Sequence, residues 1–189
     1  MLTDQQRHFD RLYRHDPDPW GYRTTWAEQH RLGVLMASLD QPLYGRVFEP
    51  GCANGTLTEL LAARSTDLVA WDSAPAAVHL TRAAVTATSG VSCHVGSVPD
   101  DWPDGRFDLV VLSDFLYYLS APDITAVVAR ATDSVTGGGV ILSSHWLGTA
   151  ADFLTPGGAA VHQVIESALG PPDVARYADQ QQVIGLWRP

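Results

Sequence analysis

The chain contains no lysine, only two cysteines, and fewer basic than acidic side chains. Its 189 residues carry 12 basic and 21 acidic side chains, which gives a formal net charge of -9 at pH 7. Nothing in such a chain would neutralise a row of phosphates, so nucleic acid is a poor candidate substrate. Cys52 and Cys93 lie far apart without CxxC spacing, which argues against a disulfide framework or a structural zinc site. We therefore expect a protein of the reducing cytoplasm.

Long apolar runs are missing as well. No stretch approaches the roughly 20 apolar residues of a membrane span. The first residues are polar and amphipathic, unlike a secretory signal peptide. The seven histidines are scattered and form no HxxxH pair with carboxylates, so no metal site is predicted. We expect a protein that is neither secreted nor inserted in a membrane.

From Arg46 onward, short apolar runs alternate with helical segments, a pattern typical of βα units. The predicted strands cover residues 46–49, 68–72, 91–95, 107–113 and 139–144, followed by an antiparallel pair at 173–177 and 181–187. The predicted helices cover 55–64, 75–88, 123–134 and 158–169, and two more, starting after Thr3 and at Thr24, precede the first strand. This predicts an α/β fold with a seven-stranded, mostly parallel sheet, an antiparallel C-terminal strand and helices on both faces. We expect one domain over 1–189, with 1–44 as a helical cover and 45–189 as the core.

A glycine-bearing turn, Glu49 to Gly55, joins the first strand to a helix. The small residues Gly51, Ala53 and Gly55 would let a ligand approach the backbone, and the helix start offers unpaired N–H groups. The second strand ends at Asp72, whose carboxylate could accept both hydroxyls of a cofactor ribose. Dinucleotide-binding proteins require G-x-G-x-x-G, which this turn lacks. The alternative is that the glycines only shape a tight connection.

After the third strand comes Gly96-Ser97-Val98, at the position where an adenine ring would lie. Ser97 could bond the adenine edge and Val98 could pack on its face; a plain turn before Pro99 is the alternative.

Several segments resemble the nodulation protein S type of class I methyltransferases, enzymes that use S-adenosylmethionine (SAM). The matching segments are FDRLY at 9–13, DPDPWGY at 16–22, WAE at 26–28, FEPGC at 48–52, VPDDWP at 98–103, FDLVVLS at 107–113, YYL at 117–119, SHW at 144–146 and LW at 186–187. The resemblance covers nearly the whole chain. It implies a Rossmann-like methyltransferase sandwich and methyl transfer from SAM, with S-adenosylhomocysteine (SAH) as product.

The resemblance also implies which residues surround the cofactor. The N-terminal segment would fold over SAM, with Trp20 and Tyr22 at its border, or these two aromatics only pack a loop onto the core. Arg23 and Arg31 would reach the methionine carboxylate, and Glu49 its ammonium group. The full set of expected cofactor-binding residues is Trp20, Tyr22, Arg31, Glu49, Gly51, Cys52, Ala53, Gly55, Asp72, Ser73, Ser97, Val98 and Ser113.

The catalytic candidates lie on the carboxyl edge of the sheet, where ligands bind in open α/β proteins. Ser113 and Asp114 end the fourth strand, Tyr117 and Tyr118 follow, and His145 ends the fifth. His145, Tyr117 and Asp114 are the expected catalytic residues, with His145 as the acceptor-orienting group or base, or else a structural histidine. His162 and Glu166 either line the same mouth or lie on an exposed helix face.

The expected acceptor is a small molecule, with N-methylation first and O-methylation second. A nicotinamide-dependent oxidoreductase is disfavoured, because a chain without lysine cannot supply a Tyr-x-x-x-Lys pair. A SAM-binding module without acceptor chemistry is the non-enzymatic alternative.

Overall fold

The computed structural model describes residues 2–189, and its elements alternate as the sequence predicts. The strands are β1 (Tyr44–Pro50), β2 (Ser65–Asp72), β3 (Val91–Val95), β4 (Phe107–Ser113), β5 (Val135–Trp146), β6 (Ala175–Ala178) and β7 (Gln182–Trp187). The helices are α1 (Asp4–His15), α2 (Trp26–Ala37), α3 (Thr56–Ala62), α4 (Pro75–Ala84), α5 (Ala121–Ser134) and α6 (Gly158–Leu169), with a short 3₁₀ turn at Leu116–Tyr118. Among residues 2–189, no helix is long and apolar enough to cross a bilayer.

The seven strands form one sheet in the order β3-β2-β1-β4-β5-β7-β6. The pairs β1–β2, β2–β3, β1–β4 and β4–β5 are parallel, whereas β7 pairs antiparallel with both β5 and β6. This confirms the predicted mostly parallel sheet with an antiparallel C-terminal strand. The chain order reverses between β1 and β4, and in open α/β sheets such a reversal opens a crevice at the carboxyl ends of the strands.

Both faces of the sheet are covered, so the central strands are apolar on both sides. Within β4, Val110 and Leu112 pack into the cluster that includes Ile124 of α5 and Ile165 of α6. The alternate residues of the same strand pack with α2 and α3 on the other face. Helices therefore lie on both faces, as the alternating sequence pattern predicts.

Element ends differ from the predictions by a few residues, for local reasons. Helix α5 begins at Ala121, because Ser120 accepts a hydrogen bond from the Asp123 N–H and Pro122 is tolerated in the first turn. Helix α4 ends at Ala84 rather than at residue 88. Strand β5 begins at Val135, where it pairs with Phe107 ahead of three consecutive glycines that interrupt the apolar pattern.

The predicted cover, residues 1–44, contains two helices with different surroundings. Helix α1 docks on α4, where Asp10 Oδ1 accepts a hydrogen bond from the Ala76 N–H at 2.8 Å. Helix α4 has no capping side chain of its own, since Ala74 occupies that position. Helix α2 instead buries Leu32 and Leu35 in the core. Helix α1 therefore lies against α4, whereas helix α2 packs on the sheet as part of the core.

Candidate active site

The turn after β1 is held against the end of β2 by its backbone. The N–H groups of Gly51 and Cys52 both donate to the Trp71 carbonyl, at 2.7 and 2.9 Å. Gly51, Ala53 and Gly55 all have positive φ, of 76°, 54° and 81°. A Cβ on Gly51 would lie 3.0 Å from the Phe115 ring, so glycine lets Phe115 pack closely against the turn.

Gly55 has a different role from Gly51. A Cβ at Gly55 would lie 2.9 Å from the Thr81 Cα, so this glycine lets the start of α3 pack closely on α4. It lines neither of the two cavities described below. The turn thus contains one glycine beside the cavity and one inside the helix packing.

Asp72 stands at the end of β2 and is fixed by backbone donors. Its Oδ2 accepts from the Ala53 N–H at 3.0 Å, and its Oδ1 accepts from the Ala74 N–H at 2.9 Å. Burial raises the pKa of Asp72 to about 6, although these N–H groups favour the charged form. The carboxyl group is held in one orientation at the cavity wall.

The carboxyl edge of the sheet carries a cavity of about 300 Å³. Its volume is at the lower end of the range typical of small-molecule sites. Its walls come from α1, the 16–25 loop, the glycine turn, the ends of β2, β3 and β4, and the start of α5. The lining residues are Thr3, Gln5, Gln6, Phe9, Tyr13, Trp20, Tyr22, Pro50, Gly51, Ala53, Asp72, Ser73, Gly96, Ser97, Val98, Pro99, Asp100, Asp114, Phe115, Tyr118, Leu119 and Asp123.

A second, smaller cavity of about 30 Å³ adjoins the first. Tyr22, Gly51, Ala53 and Asp114 line both, and Glu49, Cys52 and Ser113 are among the residues that line only the smaller one. Glu49 is 2% exposed, and its Oε2 has no hydrogen-bond partner among residues 2–189. Burial raises the pKa of Glu49 to about 8. The wall of the small cavity therefore holds a buried carboxyl group with one oxygen, Oε2, that has no hydrogen-bond partner, while the Thr58 hydroxyl beside the group lowers its pKa.

Aromatic side chains from the N-terminal segment form one side of the larger cavity. The Trp20 ring contacts Tyr13 and Tyr22, with centroids 5.6 and 5.9 Å apart. The Phe9 ring meets Tyr118 edge to face at 4.8 Å, and Gln5 Nε2 donates to the Tyr118 carbonyl at 2.6 Å. The segment therefore spans from the glycine turn to the end of β4.

Arg31 and Arg23, the expected partners of the methionine carboxylate, are both ion-paired within the protein. Arg31 is buried and bonds Glu28 and Asp114, each at 2.7 Å. Arg23 lies 2.8 Å from Glu59. Neither arginine is part of a cavity wall, but Arg31 touches Asp114, which borders both cavities. Arg23 donates to the carbonyl of Asn54 at 3.1 Å, and Asn54 lines the smaller cavity, so each arginine contacts a cavity-lining residue.

Asp114 adopts a positive φ of 54° at the end of β4. Its Oδ1 accepts from the Trp146 N–H at 2.7 Å, and its Oδ2 bonds Arg31. The Tyr117 hydroxyl donates to Oδ1 at 3.4 Å, a long contact. Three bonds therefore fix this carboxylate where the two cavities meet.

His145 and Tyr117 lie behind the cavity wall, not in it. His145 is fully buried, with Nε2 2.8 Å from Ser143 Oγ and its ring centroid 6.2 Å from that of Tyr117. Burial lowers the pKa of His145 to about 3. Tyr117 is buried and stacks on Phe153 at 4.0 Å. This placement favours the structural alternative for His145 and leaves Asp114 as the predicted catalytic residue that borders the cavities.

His162 is buried as well, at 4% exposure, and packs on Trp187 with ring centroids 5.5 Å apart. It lies neither at the mouth nor on an exposed face, because α6 turns this side toward β7. Glu166 is partly buried one helical turn away.

The loop after β3 forms the opposite wall. Ser97, Val98 and Ser73 all line the larger cavity. The Ser97 N–H donates to Asp101 Oδ2 at 2.9 Å, which fixes the loop from behind. Ser97 therefore lines the cavity with its backbone N–H already bonded to Asp101.

Sequence reasoning missed the contribution of α1 and several neighbours of the predicted residues. The lining residues not predicted as site residues are Thr3, Gln5, Gln6, Phe9, Tyr13, Pro50, Gly96, Pro99, Asp100, Phe115, Tyr118, Leu119 and Asp123. The apolar stripe of Phe9 and Tyr13 was the available signal. No group of three or more His, Cys, Asp or Glu side chains that could hold a metal occurs within residues 2–189.

Comparison with known proteins adds independent findings. The family model described as Nodulation protein S (NodS) matches residues 5–133. The nodulation protein S of Sinorhizobium fredii is 34% identical over 111 residues, which is 58% of this chain and 50% of that protein. The magnesium-protoporphyrin O-methyltransferase of Rhodobacter capsulatus is 39% identical over 100 residues, 51% of this chain and 44% of that protein. The chain thus spans about half the length of these two relatives.

A solved structure agrees with the fold over almost the whole chain. The N-methyltransferase NodS from Bradyrhizobium japonicum WM9, in complex with SAH, superposes with a TM-score of 0.84 and covers 98% of both chains. Its sequence identity is 22%, so this likeness speaks for the fold alone. The Rossmann-like methyltransferase sandwich is confirmed.

Proposed function

This chain belongs to the nodulation protein S family, and from that premise we propose that it transfers a methyl group from SAM to a small-molecule acceptor. An amine is the first choice of acceptor and a hydroxyl the second. Relatives whose names specify N- or O-methyl transfer support both. Two buried free cysteines support a reducing, cytoplasmic location.

The observation that carries the proposal is the carboxylate of Asp72 beside an open glycine turn. Asp72 is fixed by two backbone N–H groups and lines the larger cavity. A fixed carboxylate at the end of the second strand suits a pair of ribose hydroxyls. The turn lacks the spacing that a pyrophosphate requires, which favours a cofactor without phosphate.

The smaller cavity marks the side on which the methionine end of SAM would lie. Glu49 has a buried Oε2 without a partner, which an ammonium group would satisfy. Arg31 and Arg23 each contact a residue that lines this cavity, and a carboxylate there would compete with Asp114 and Glu28 for the guanidinium of Arg31. Cys52 and Ser113 complete the wall. These residues offer opposite charges to an amino-acid group.

The remaining lining residues suit the adenosine group of SAM and the sulfonium next to it. Ser97 and Val98 lie on the wall formed by the loop after β3, and Ser73 follows Asp72. Trp20 and Tyr22 close the other side, where aromatic faces would attract a sulfonium cation. Gly51 and Ala53 provide the floor.

SAM, when bound, supplies an electrophilic methyl group whose bond to sulfur breaks as the new bond to the acceptor forms, leaving SAH. The task of the protein is then to position the acceptor and exclude water. Asp114, where the cavities meet, could accept a hydrogen bond from an amine N–H and aim its lone pair. His145 has no path to the cavity surface in this arrangement, so we assign it a supporting role behind Tyr117.

Calorimetry with SAM, SAH and NAD tests the cofactor, and SAH formation with a panel of small amines and phenols tests the reaction. We expect SAM and SAH to bind and NAD not to bind, with SAH produced faster from amines. Binding of NAD but not of SAH would overturn the proposal. Tight SAM binding without turnover on any acceptor would instead favour the non-catalytic SAM-binding module.

A further inference from the structure

The buried guanidinium of Arg31 has a nitrogen that the protein leaves without a partner. Nη1 bonds Glu28 and Nη2 bonds Asp114, each at 2.7 Å. Nε has no hydrogen-bond partner in the described part of the chain, although Arg31 is only 5% exposed. Nε and Nη2 form one side of the guanidinium, the side that can bind a carboxylate through two parallel N–H groups. Asp114 therefore occupies half of a two-pronged binding position, and the other half is unsatisfied, which is costly in a buried group.

The two oxygens of Asp114 have different partners. Oδ1 accepts from the Trp146 N–H at 2.7 Å and from the Tyr117 hydroxyl at 3.4 Å. Oδ2 bonds Arg31 and no other group between Leu2 and Pro189. The side chain of Asp114 is 11% exposed. If Arg31 turned to another carboxylate, Oδ1 would still hold Asp114 in place, while Oδ2 would need a new donor.

Asp114 lies where the reacting methyl group of the proposed cofactor would be. The sulfur of SAM joins the methionine part, which we place on the side of the smaller cavity, to the ribose, which we place at Asp72 in the larger one. Tyr22, Gly51, Ala53 and Asp114 line both cavities. Of these four residues, Asp114 is the one with a charged side chain. An acceptor atom that meets the methyl group at this junction would therefore have Asp114 beside it.

The smaller cavity must widen before it can hold an amino-acid group. Its volume of about 30 Å³ has room for about two water molecules. The glycine turn on one side is fixed by backbone hydrogen bonds, whereas the contact between Arg31 and Asp114 joins two side chains. Leu32, the residue after Arg31 on α2, is part of the cavity wall. We therefore expect this ion pair to rearrange when the cofactor enters.

We propose that Arg31 is an ion-pair switch that makes the acceptor site depend on the cofactor. The cofactor carboxylate takes the Nε and Nη2 side of Arg31 from Asp114, and Glu28 keeps Nη1. The released Oδ2 of Asp114 then accepts a hydrogen bond from the acceptor amine, so the cofactor binds first and the acceptor second. This inference rests on the proposed methyl transfer and adds the order of binding. Arg31 is a positioning residue, because it acts on the acceptor through Asp114.

The first experiment measures by calorimetry the binding of SAH and of S-(5′-adenosyl)-3-thiopropylamine, which is SAH without its carboxylate. Wild-type protein should bind SAH at least about tenfold more tightly than decarboxylated SAH. In Asp114→Asn the competitor for Arg31 has no charge, so SAH should bind about three- to tenfold more tightly than it binds wild type. The affinity for decarboxylated SAH should not change. Asparagine tolerates the positive φ of this position and keeps an oxygen for the Trp146 N–H.

A second variant tests the two-pronged contact itself. Arg31→Lys keeps the positive charge but lacks the planar pair of N–H groups, so the preference for SAH over decarboxylated SAH should fall by at least about fivefold. An unchanged preference in this variant would show that the carboxylate does not bind Arg31.

The order of binding is tested with benzylamine as the acceptor probe. It is titrated into free protein, into protein loaded with SAH and into protein loaded with decarboxylated SAH. We expect the SAH-loaded form to bind benzylamine at least about tenfold more tightly than the other two forms, and this gain should be lost in Asp114→Asn. SAH production from SAM and benzylamine should be slower in Asp114→Asn, although SAM binds more tightly. A structural role of Asp114 alone would not give tighter cofactor binding together with slower turnover.

The matched control is Asp133→Asn, which removes the same charge from an exposed position of α5 and should keep every wild-type preference. Equal binding of SAH and decarboxylated SAH by wild type, or SAH binding that is unchanged or weaker in Asp114→Asn, would overturn the switch. Equal affinity of the free and SAH-loaded forms for benzylamine, or no binding by either, would overturn the order of binding. Failure of wild-type protein to bind SAH at all would instead contradict the proposed function.

Discussion

The turn between β1 and α3 buries carboxyl groups, whereas the layer between β5 and α6 buries imidazoles. In the turn region, burial raises the pKa of Glu49 to about 8 and of Asp72 to about 6. Under α6, burial lowers the pKa of His145 to about 3 and also lowers that of His162. Both regions favour the uncharged form, but the carboxyl groups achieve it by holding a proton and the imidazoles by losing one.

The two regions also differ in what surrounds these groups. The carboxyl groups of Glu49 and Asp72 line cavities, so a ligand can reach them. His145 and His162 line neither cavity, and both imidazoles retain ring nitrogens without partners among residues 2–189. This difference supports the proposal that the first region binds a ligand, whereas the second packs the core.

The largest expected effect comes from Asp72→Ala in the binding region. Loss of two charge-assisted hydrogen bonds to ribose should weaken SAH binding by about 2–4 kcal/mol, or roughly 30- to 900-fold. Calorimetry measures this, and Asp133→Asn, exposed on α5, is the control. A folded Asp72→Ala protein with wild-type SAH affinity would remove Asp72 from the cofactor site.

The corresponding change in the packing region is His145→Ala. It leaves a cavity and an unpaired Ser143 hydroxyl, so the free energy of unfolding should fall by about 2–4 kcal/mol with SAH affinity within twofold of wild type. Denaturant unfolding and calorimetry separate the two quantities, with His79→Ala on the exposed side of α4 as control. Unchanged stability with slowed turnover and an altered pH–rate profile would return His145 to the acceptor side.

The two regions should also give opposite pH dependences of stability. The unfolded chain takes up protons on its histidines below pH 6.5, whereas buried His145 does not, so the free energy of unfolding falls as the pH falls from about 6.5 toward 3. Between pH 7 and pH 5, His145 should lower the free energy of unfolding by about 2 kcal/mol. The carboxyl groups act in reverse, because the folded protein holds their protons longer, and stability is lost as the pH rises from about 4 to 8.

Unfolding curves measured from pH 4 to 9 check both effects: the loss of stability at low pH, which we call the acidic limb, and the loss as the pH rises, which we call the alkaline limb. Replacing His145 with alanine should flatten the acidic limb and leave the alkaline limb unchanged. Glu49→Gln should flatten the alkaline limb and leave the acidic limb unchanged. A wild-type acidic limb in His145→Ala would mean that other groups cause it.

The smallest effect is expected at the contact between α1 and α4. Asp10→Ala removes the acceptor of the Ala76 N–H and the partner of Arg14, at a cost of about 1 kcal/mol. In the variant, amide exchange should increase in α1 and at the start of α4. If α1 closes over the cavity, SAH should reduce this exchange. Asp4→Ala, exposed in the same helix, is the control. Equal exchange with and without SAH would show that α1 does not respond to the cofactor.

Much of the binding region follows from local sequence, and much of the packing region does not. The turn, Asp72 and the Ser97–Val98 segment were predicted because a strand followed by small residues has a recognisable pattern. Apart from Gly55, these residues line the larger cavity or the smaller one. Their contact with a cofactor stays a prediction. The placement of His145 depends on the register of β5 against β7, where a shift of one residue would turn the ring to the other face.

The contribution of α1 could not be read from its own sequence for a related reason. Its position depends on Asp10 meeting Ala76, 66 residues away, and on Gln5 meeting the Tyr118 carbonyl. Such long-range contacts leave no local pattern beyond the apolar stripe of Phe9 and Tyr13. The fold was therefore predicted well, and the outer wall of the cavity only in part.

The raised pKa of Glu49 couples cofactor binding to proton release. With a pKa of about 8, this carboxyl group holds its proton at neutral pH, and an ammonium group in the small cavity would favour the charged form. Binding of SAH should therefore release a proton, and its affinity should increase as the pH rises toward 8. The apparent binding enthalpy should then differ between buffers of different ionisation enthalpy, and this difference should vanish in Glu49→Gln. Cofactor binding would thus change the protonation state of the protein itself.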